Sequence, residues 1–283
     1  MLPDWHTAYL DHPLYALLRP FVSQALPPTW PDQAAYDRLT TVARAAGVTL
    51  PDGLRFVCDL TPEAYYETHV GKTGEVPTRY RNWHDWFNAL AWLAWPRAKA
   101  ALNRRHVRAI ARGEVRRGPL RDAATLLDEC GVLVPVGERA LAEALTGMQW
   151  KTLFIAHRSA WGTDIDVMPI GHALWETGLA PHIGWCAKAL PVAVPSGFFG
   201  QPLLARLAWL DDWLARSLED DTFLPRPRTL CPLPLLGIPG YWPANEEATF
   251  YDNAAYFRST RRANASSETS SVSVIGESSP SSA

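Results

Sequence analysis

The sequence predicts an α+β protein, predominantly helical, built as a single domain with a small antiparallel or mixed sheet. Apolar residues recur at helical spacing over long stretches, and only a few short runs read as strands. Proline is abundant, 24 in 283 residues, which favours ordered loops over long strands. Hydrophobic residues make up 47% and include 13 Trp, enough for a sizeable core provided the indole N–H groups find partners.

Leu14, Leu17, Leu18 and Phe21 recur at helical spacing, and residues 32–46 read as a second helix closed by Gly47. Residues 1–50 are expected to form an N-terminal helical layer and 51–258 the main α+β domain. Arg55 to Cys58 is a strand candidate. Thr61-Pro62-Glu63 has the form of a helix start, and residues 71–80 that of a loop. Asn82 suits the N-cap of a helix running to Trp95; Pro96 ends or kinks it, and 97–111 continues as a second helix.

Residues 120–136 read as a β-hairpin turning at Asp128-Glu129-Cys130-Gly131, which gives Asp128 and Glu129 a role in turn chemistry. Residues 138–146 and 150–159 are amphipathic helices, 165–170 a strand, and Gly171-His172 the start of another helix. Residues 183–194 are strand-like, 202–218 a Leu- and Trp-rich helix, and 225–258 a packed loop dense in proline and aromatics. Residues 259–283 hold ten serines and few apolar groups, so a disordered tail is expected.

Four cysteines without a C-x-x-C pair argue against a cysteine zinc site. No secretory signal and no apolar run of membrane-spanning length occur, so a soluble cytoplasmic protein without a membrane partner is expected. G-x-S-x-G, G-x-x-x-x-G-K-[ST] and G-x-G-x-x-G are all missing, which removes the commonest hydrolase elbow and phosphate loops.

The informative stretch is residues 81–106. On a helical wheel, His84, Asp85 and Asn88 fall beside Trp92 and Trp95 on a helix that is apolar on both faces. On the next helix Arg97, Arg104, Arg105, Arg108 and Arg112 share one side, expected to be solvated. Lys99, Asn103 and His106 fall on the opposite side, facing the interior. Burying such groups costs about 1–3 kcal/mol each unless they are hydrogen-bonded, so a satisfied network, a site, or both is implied. Asn82 and Asp85 also suit a purely structural capping role. His172, His182 and Glu176 are candidate ligands for a divalent metal such as zinc, manganese or iron, although no tight ligand spacing such as H-E-x-x-H is present.

Residues 97–121 carry nine Lys or Arg against one acid, within a chain of net charge −2. Such a segment either attracts a polyanion, nucleic acid binding through Arg104, Arg105, Arg108 and Arg112, or pairs with carboxylates elsewhere in the chain.

The motif Asn82-Trp-His-Asp85-x-x-Asn88-Ala-Leu90, followed by Pro96-x-x-Lys99-x-x-x-Asn103-x-x-His106, resembles a bacterial family known as domain of unknown function 3025. The resemblance continues through Asp128-Glu129-x-Gly131, Gly171-His172-Ala-Leu174 with Glu176, Pro181-His182, Leu236-Gly-Ile-Pro-Gly240, Trp242-Pro-Ala-Asn-Glu246 and Phe250-Tyr-Asp252. It implies a soluble proteobacterial protein and brings no activity, cofactor or partner with it.

The residues themselves favour a hydrolase-like enzyme acting on a small molecule, with a divalent metal as its candidate cofactor. His84 and His106 would serve as acid–base groups, Asp85 would orient an imidazole, Asn88 and Asn103 would bind substrate and Lys99 would stabilise negative charge. The alternative is a non-catalytic polyanion-binding module, and a third is a scaffold meeting a protein partner through residues 231–250.

Overall fold

The computed structural model describes residues 3–22, 26–63, 65–114 and 117–259. The predicted tail lies, from residue 260 on, outside the described residues. Nine α-helices and six strands are found among the described residues: α1 (Arg19–Val22), α2 (Gln33–Ala45), β1 (Arg55–Cys58), α3 (Tyr66–Thr73), β2 (Glu75–Thr78), α4 (Trp83–Ala94), α5 (Pro96–Ala111), α6 (Pro119–Cys130), β3 (Gly131–Val136), α7 (Arg139–Thr146), β4 (Met168–Pro169), α8 (His172–Gly178), β5 (Cys186–Ala193), α9 (Leu203–Ser217) and β6 (Cys231–Pro234). The protein is therefore α+β and predominantly helical. A four-stranded mixed sheet runs β4-β3-β5-β6, with β3 parallel to β5 and the outer pairs antiparallel, and β1 pairs with β2 in a separate parallel ribbon. No described helix is long and apolar enough to cross a membrane.

Helix α4 is the hub. Asn82 caps it, its side-chain oxygen accepting from the Asp85 N–H at 3.0 Å, and nearly every α4 residue is buried. Three of the four indoles here find the partners their burial requires: Trp83 donates to the Pro3 carbonyl, Trp86 to the Tyr9 hydroxyl and Trp95, at the junction with α5, to the Pro169 carbonyl, whereas the buried Trp92 Nε1–H has no partner among the described residues. Pro96 occupies the first turn of α5, where its missing N–H costs nothing. The next two donors, the N–H groups of Arg97 and Ala98, are capped from another helix: Asp211 of α9 accepts both, at 3.1 and 2.8 Å.

Several local expectations change. Residues 120–136 are not a hairpin: α6 leads directly into β3. Pro119 sits at the helix start, and Ala123, Ala124 and Leu127 are buried at helical spacing, so the pattern has the 3.6 period rather than 2. Helix α3 begins at Tyr66, not at Pro62, and runs to Thr73 before β2, so 71–80 is helix end and strand rather than loop. Residues 152–156 form a π-turn and 158–160 a 3₁₀ turn in place of one amphipathic helix. The strand near 165–170 shortens to Met168–Pro169. The proline-rich loop contributes β6, tolerable because its prolines lie on an edge strand.

The arginine face of α5 is not uniformly solvated. Arg105 is fully buried, donating to the carbonyls of Asp220 and Phe223 at 2.7 Å each, and burial lowers its pKa. The others meet carboxylates of α9 and the loop after it: Arg97 pairs with Asp212, Arg104 and Arg108 with Glu219, and Arg112 with Asp221.

Asp211 gives this packing a pH dependence. Burial, opposed by the two backbone N–H bonds, raises its pKa to about 6. A carboxyl whose folded pKa lies above its unfolded value contributes stability that is complete below the unfolded value, near 4, and is lost as pH rises through about 6. Asp211→Ala is expected to cost about 1–2 kcal/mol at pH 5, the range for a lost cap, and less at pH 7.5. Urea unfolding of both proteins at the two pH values checks this; a penalty that grows with pH would contradict it.

Candidate functional site

The cleft between α3, α4, α5, α6 and α8 encloses a cavity of about 470 Å³. Its walls include all six inward-facing residues of the central stretch, His84, Asp85, Asn88, Lys99, Asn103 and His106, together with Asp128, Glu129 and His172.

At one end three donor atoms converge. The Nε2 atoms of His84 and His172 stand 3.0 Å apart, and Glu129 Oε2 lies 4.0 Å from the first and 3.7 Å from the second. A point equidistant from three atoms so spaced lies about 2.1 Å from each, within the range of zinc–nitrogen and zinc–oxygen bonds. Two facing imidazole nitrogens repel through their lone pairs unless a cation, a proton or a metal, lies between or beside them. Each ring turns its other nitrogen to a carboxylate. His84 Nδ1 is 3.1 Å from Glu176 Oε2, and His172 Nδ1 is 3.8 Å from Asp128 Oδ2, the longer contact leaving that nitrogen buried without a direct hydrogen bond. Histidine ligands of metals are oriented in this way.

The electrostatics divide the two imidazoles. The hydrogen bond that His84 Nδ1–H donates to Glu176 raises the pKa of His84, against the effect of burial. Burial, with the Lys99 charge nearby, pushes His172 down to about 3, so this ring is neutral and its Nε2 can act as a ligand. Burial also raises the pKa of Glu129.

The local reason for this convergence is a contact between two glycines. The N–H groups of Ile170 and Gly171 both donate to the Gly131 carbonyl, at 3.1 and 2.9 Å. A Cβ on Gly171 would meet the Glu129 carbonyl and the Gly131 nitrogen at 2.5 Å, so no larger residue fits. Glu129 lies in the last turn of α6, two residues before Gly131, and His172 opens α8 immediately after Gly171. The close approach of the chains brings the two ligand-type side chains together.

Lys99 locks the middle of the cavity. Its ammonium, 3% exposed, donates to Asp128 Oδ1 at 2.6 Å and Asn88 Oδ1 at 2.9 Å. Asn88 in turn donates to the Tyr66 hydroxyl at 3.0 Å. Burial opposes ionisation of Asp128, but Lys99, together with His172 and His106, holds the carboxyl below its usual range. The third N–H of the ammonium remains for the cavity. Towards the other end, Asn103 donates to the Glu67 carbonyl at 2.9 Å and fastens α3 to α5. There the Arg121 Nε–H approaches His106 Nδ1 at 3.5 Å, and burial lowers the His106 pKa.

Three expectations need correcting here. Asp85 orients no imidazole: it accepts both a forked pair from the Arg79 guanidinium, at 2.8 Å each, and the Arg79 backbone N–H at 2.7 Å. His182 is exposed and away from the cavity, whereas His172 faces into it; Glu176 stands behind His84. Asp128 and Glu129, expected in a turn, belong to the last turn of α6 and line the cavity. Proline at 119 with helical burial after it was the signal that would have placed them.

Fold and site together define an α+β protein with a polar cavity between helices, in which two histidines and a carboxylate converge. The chain belongs to the family described as "Protein of unknown function (DUF3025)", whose model matches residues 54–261. No curated protein and no solved structure matches it.

The Lys99–Asp128 pair generates a stability test. Removing one member leaves a charge in a largely dehydrated place, so Asp128→Ala is expected to cost about 2–4 kcal/mol, the lower part reflecting the partial exposure of Asp128. Lys99→Met with Asp128→Leu should recover more than half of that loss. Chemical denaturation of both variants measures it, and a double variant less stable than the single one would refute the account.

Proposed function

We propose that the cavity is the active centre of a hydrolase acting on a small molecule, with a divalent metal held by His84, His172 and Glu129. The observation that carries this reading is the convergence of their three donor atoms on one point at metal-bond distance, with carboxylates behind both imidazoles. Two histidines and one carboxylate leave further coordination positions open, the arrangement of catalytic rather than structural sites. A metal there would supply a Lewis acid and an activated water.

The protein's own residues would do the rest. Glu176 holds His84 with Nε2 turned to the centre, and Asp128 faces His172 in the same sense. Lys99, already holding Asp128 and Asn88, has one N–H left to stabilise negative charge developing on the substrate. Asn88 and Tyr66 supply hydrogen-bonding groups along the wall. Without a metal the same rings would form an acid–base pair sharing one proton, a second reading favoured by the raised pKa of His84. The polyanion reading has less support, because the arginines invoked for it are paired with Glu219 and Asp221 or, for Arg105, buried.

Elemental analysis of the purified protein, and titration of the chelator-treated protein with Zn²⁺, Mn²⁺ and Fe²⁺, should find one ion per chain. Glu129→Gln and His172→Ala should abolish that binding. Glu176→Gln should weaken it about 10–100-fold, as expected for the partner of a ligand. If no ion binds at micromolar concentration, the metal reading fails. If the loaded protein cleaves none of a panel of activated esters, amides and phosphoesters, the hydrolase reading fails with it.

A further inference from the structure

Helices α5 and α6 face each other across the cavity with matched spacing. Lys99 opposes Asp128, and seven residues along each helix His106 opposes Arg121. Seven residues of helix span about 10 Å, which is how far the second pair lies from the first along the helices. The two pairs differ in charge balance. Lys99 and Asp128 neutralise each other. Arg121 is 7% exposed and has no carboxylate partner among the described residues; its hydrogen bond to the neutral His106 ring leaves the charge uncompensated. Arg117, exposed, stands at the same end of the cavity wall.

A positive charge without a carboxylate partner beside the cavity favours an anion at that end. Arg121 approaches His106 Nδ1 through Nε–H, which makes Nδ1 an acceptor and turns an Nε2–H donor to the cavity. The Lys99 charge is balanced by Asp128, and Glu67, the carboxylate that acts most strongly on His106, offsets one of the two arginine charges. The balance at this end remains positive.

We infer that this end of the cavity is a subsite for an anionic group, a carboxylate or a phosphate, bound by His106 and Arg117, which line the wall, with Arg121 standing behind His106. Resting on the proposed hydrolytic centre, the inference assigns its substrate class: a small molecule with a negative group at the end remote from the bond that is cleaved. The guanidinium fork and the imidazole N–H recognise the oxygens of such a group, and substrate lacking it would leave the buried charge unpaired.

Calorimetric titration of the metal-free full-length protein with inorganic phosphate and, separately, with acetate tests this without the metal taking part. At least one of the two should bind saturably. A preference for phosphate would mark a phosphate-bearing substrate and a preference for acetate a carboxylate-bearing one. Arg121→Met and His106→Gln, shown folded by circular dichroism, should each weaken binding about tenfold or more, the value of a charged hydrogen bond. Arg121→Lys should restore part of it, and Glu67→Gln should tighten it. Glu129→Gln should leave anion binding unchanged while abolishing metal binding. No saturable binding of either anion to the wild type, or equal binding in Arg121→Met and His106→Gln, overturns the inference. A protein that binds zinc but no anion loses only the substrate class; one that binds anions but no metal loses only the metal centre.

Discussion

The Lys99 ammonium, almost wholly removed from water, ties three helices at one point: it is carried by α5, accepts its neutralisation from Asp128 of α6, and holds Asn88 of α4. A buried ammonium tolerates little freedom, because each of its donors must meet an acceptor or an open cavity. That requirement fixes how α5 and α6 face each other, and Glu129, the residue after Asp128, is placed by it. The glycine contact between residues 131 and 171 then adds His172 to the same centre.

The outer side of α5 answers a different demand. Its arginines would repel one another if left alone, and α9 with its following loop supplies Asp212, Glu219 and Asp221 against them. Exposed pairs of this kind contribute little each. Asp211, which caps the α5 start, and Arg105, which draws in the loop carbonyls, are buried and bear more of the packing. Helix α5 therefore separates two charge systems: a neutralised outer face, and an inner one in which charge is balanced near Lys99 and unbalanced near Arg121.

Much of this was legible in the chain. Proline at 96, asparagine at 82 and the spacing of Lys99, Asn103 and His106 against the arginines defined two helices and an inward polar edge, because helical periodicity is a local property. The family resemblance and the α+β class followed from the same residues and from the short strand runs. Asp128 and Glu129 were misread because a short apolar run before a glycine suits a turn or a helix end equally, and Pro119 was the local cue that distinguished them.

Local periodicity within the chain defined α4, α5 and the inward edge that carries Lys99, Asn103 and His106. Which of the inward residues meet was settled by how the helices dock. Asp85 was claimed by Arg79, from the preceding loop, rather than by an imidazole, and His182 was left exposed while His172 was brought to His84 across 88 positions of the chain. The pairing of Arg121 with an uncharged ring instead of a carboxylate was equally invisible. Such meetings depend on how separate elements dock, and no spacing within one element encodes the distance between two.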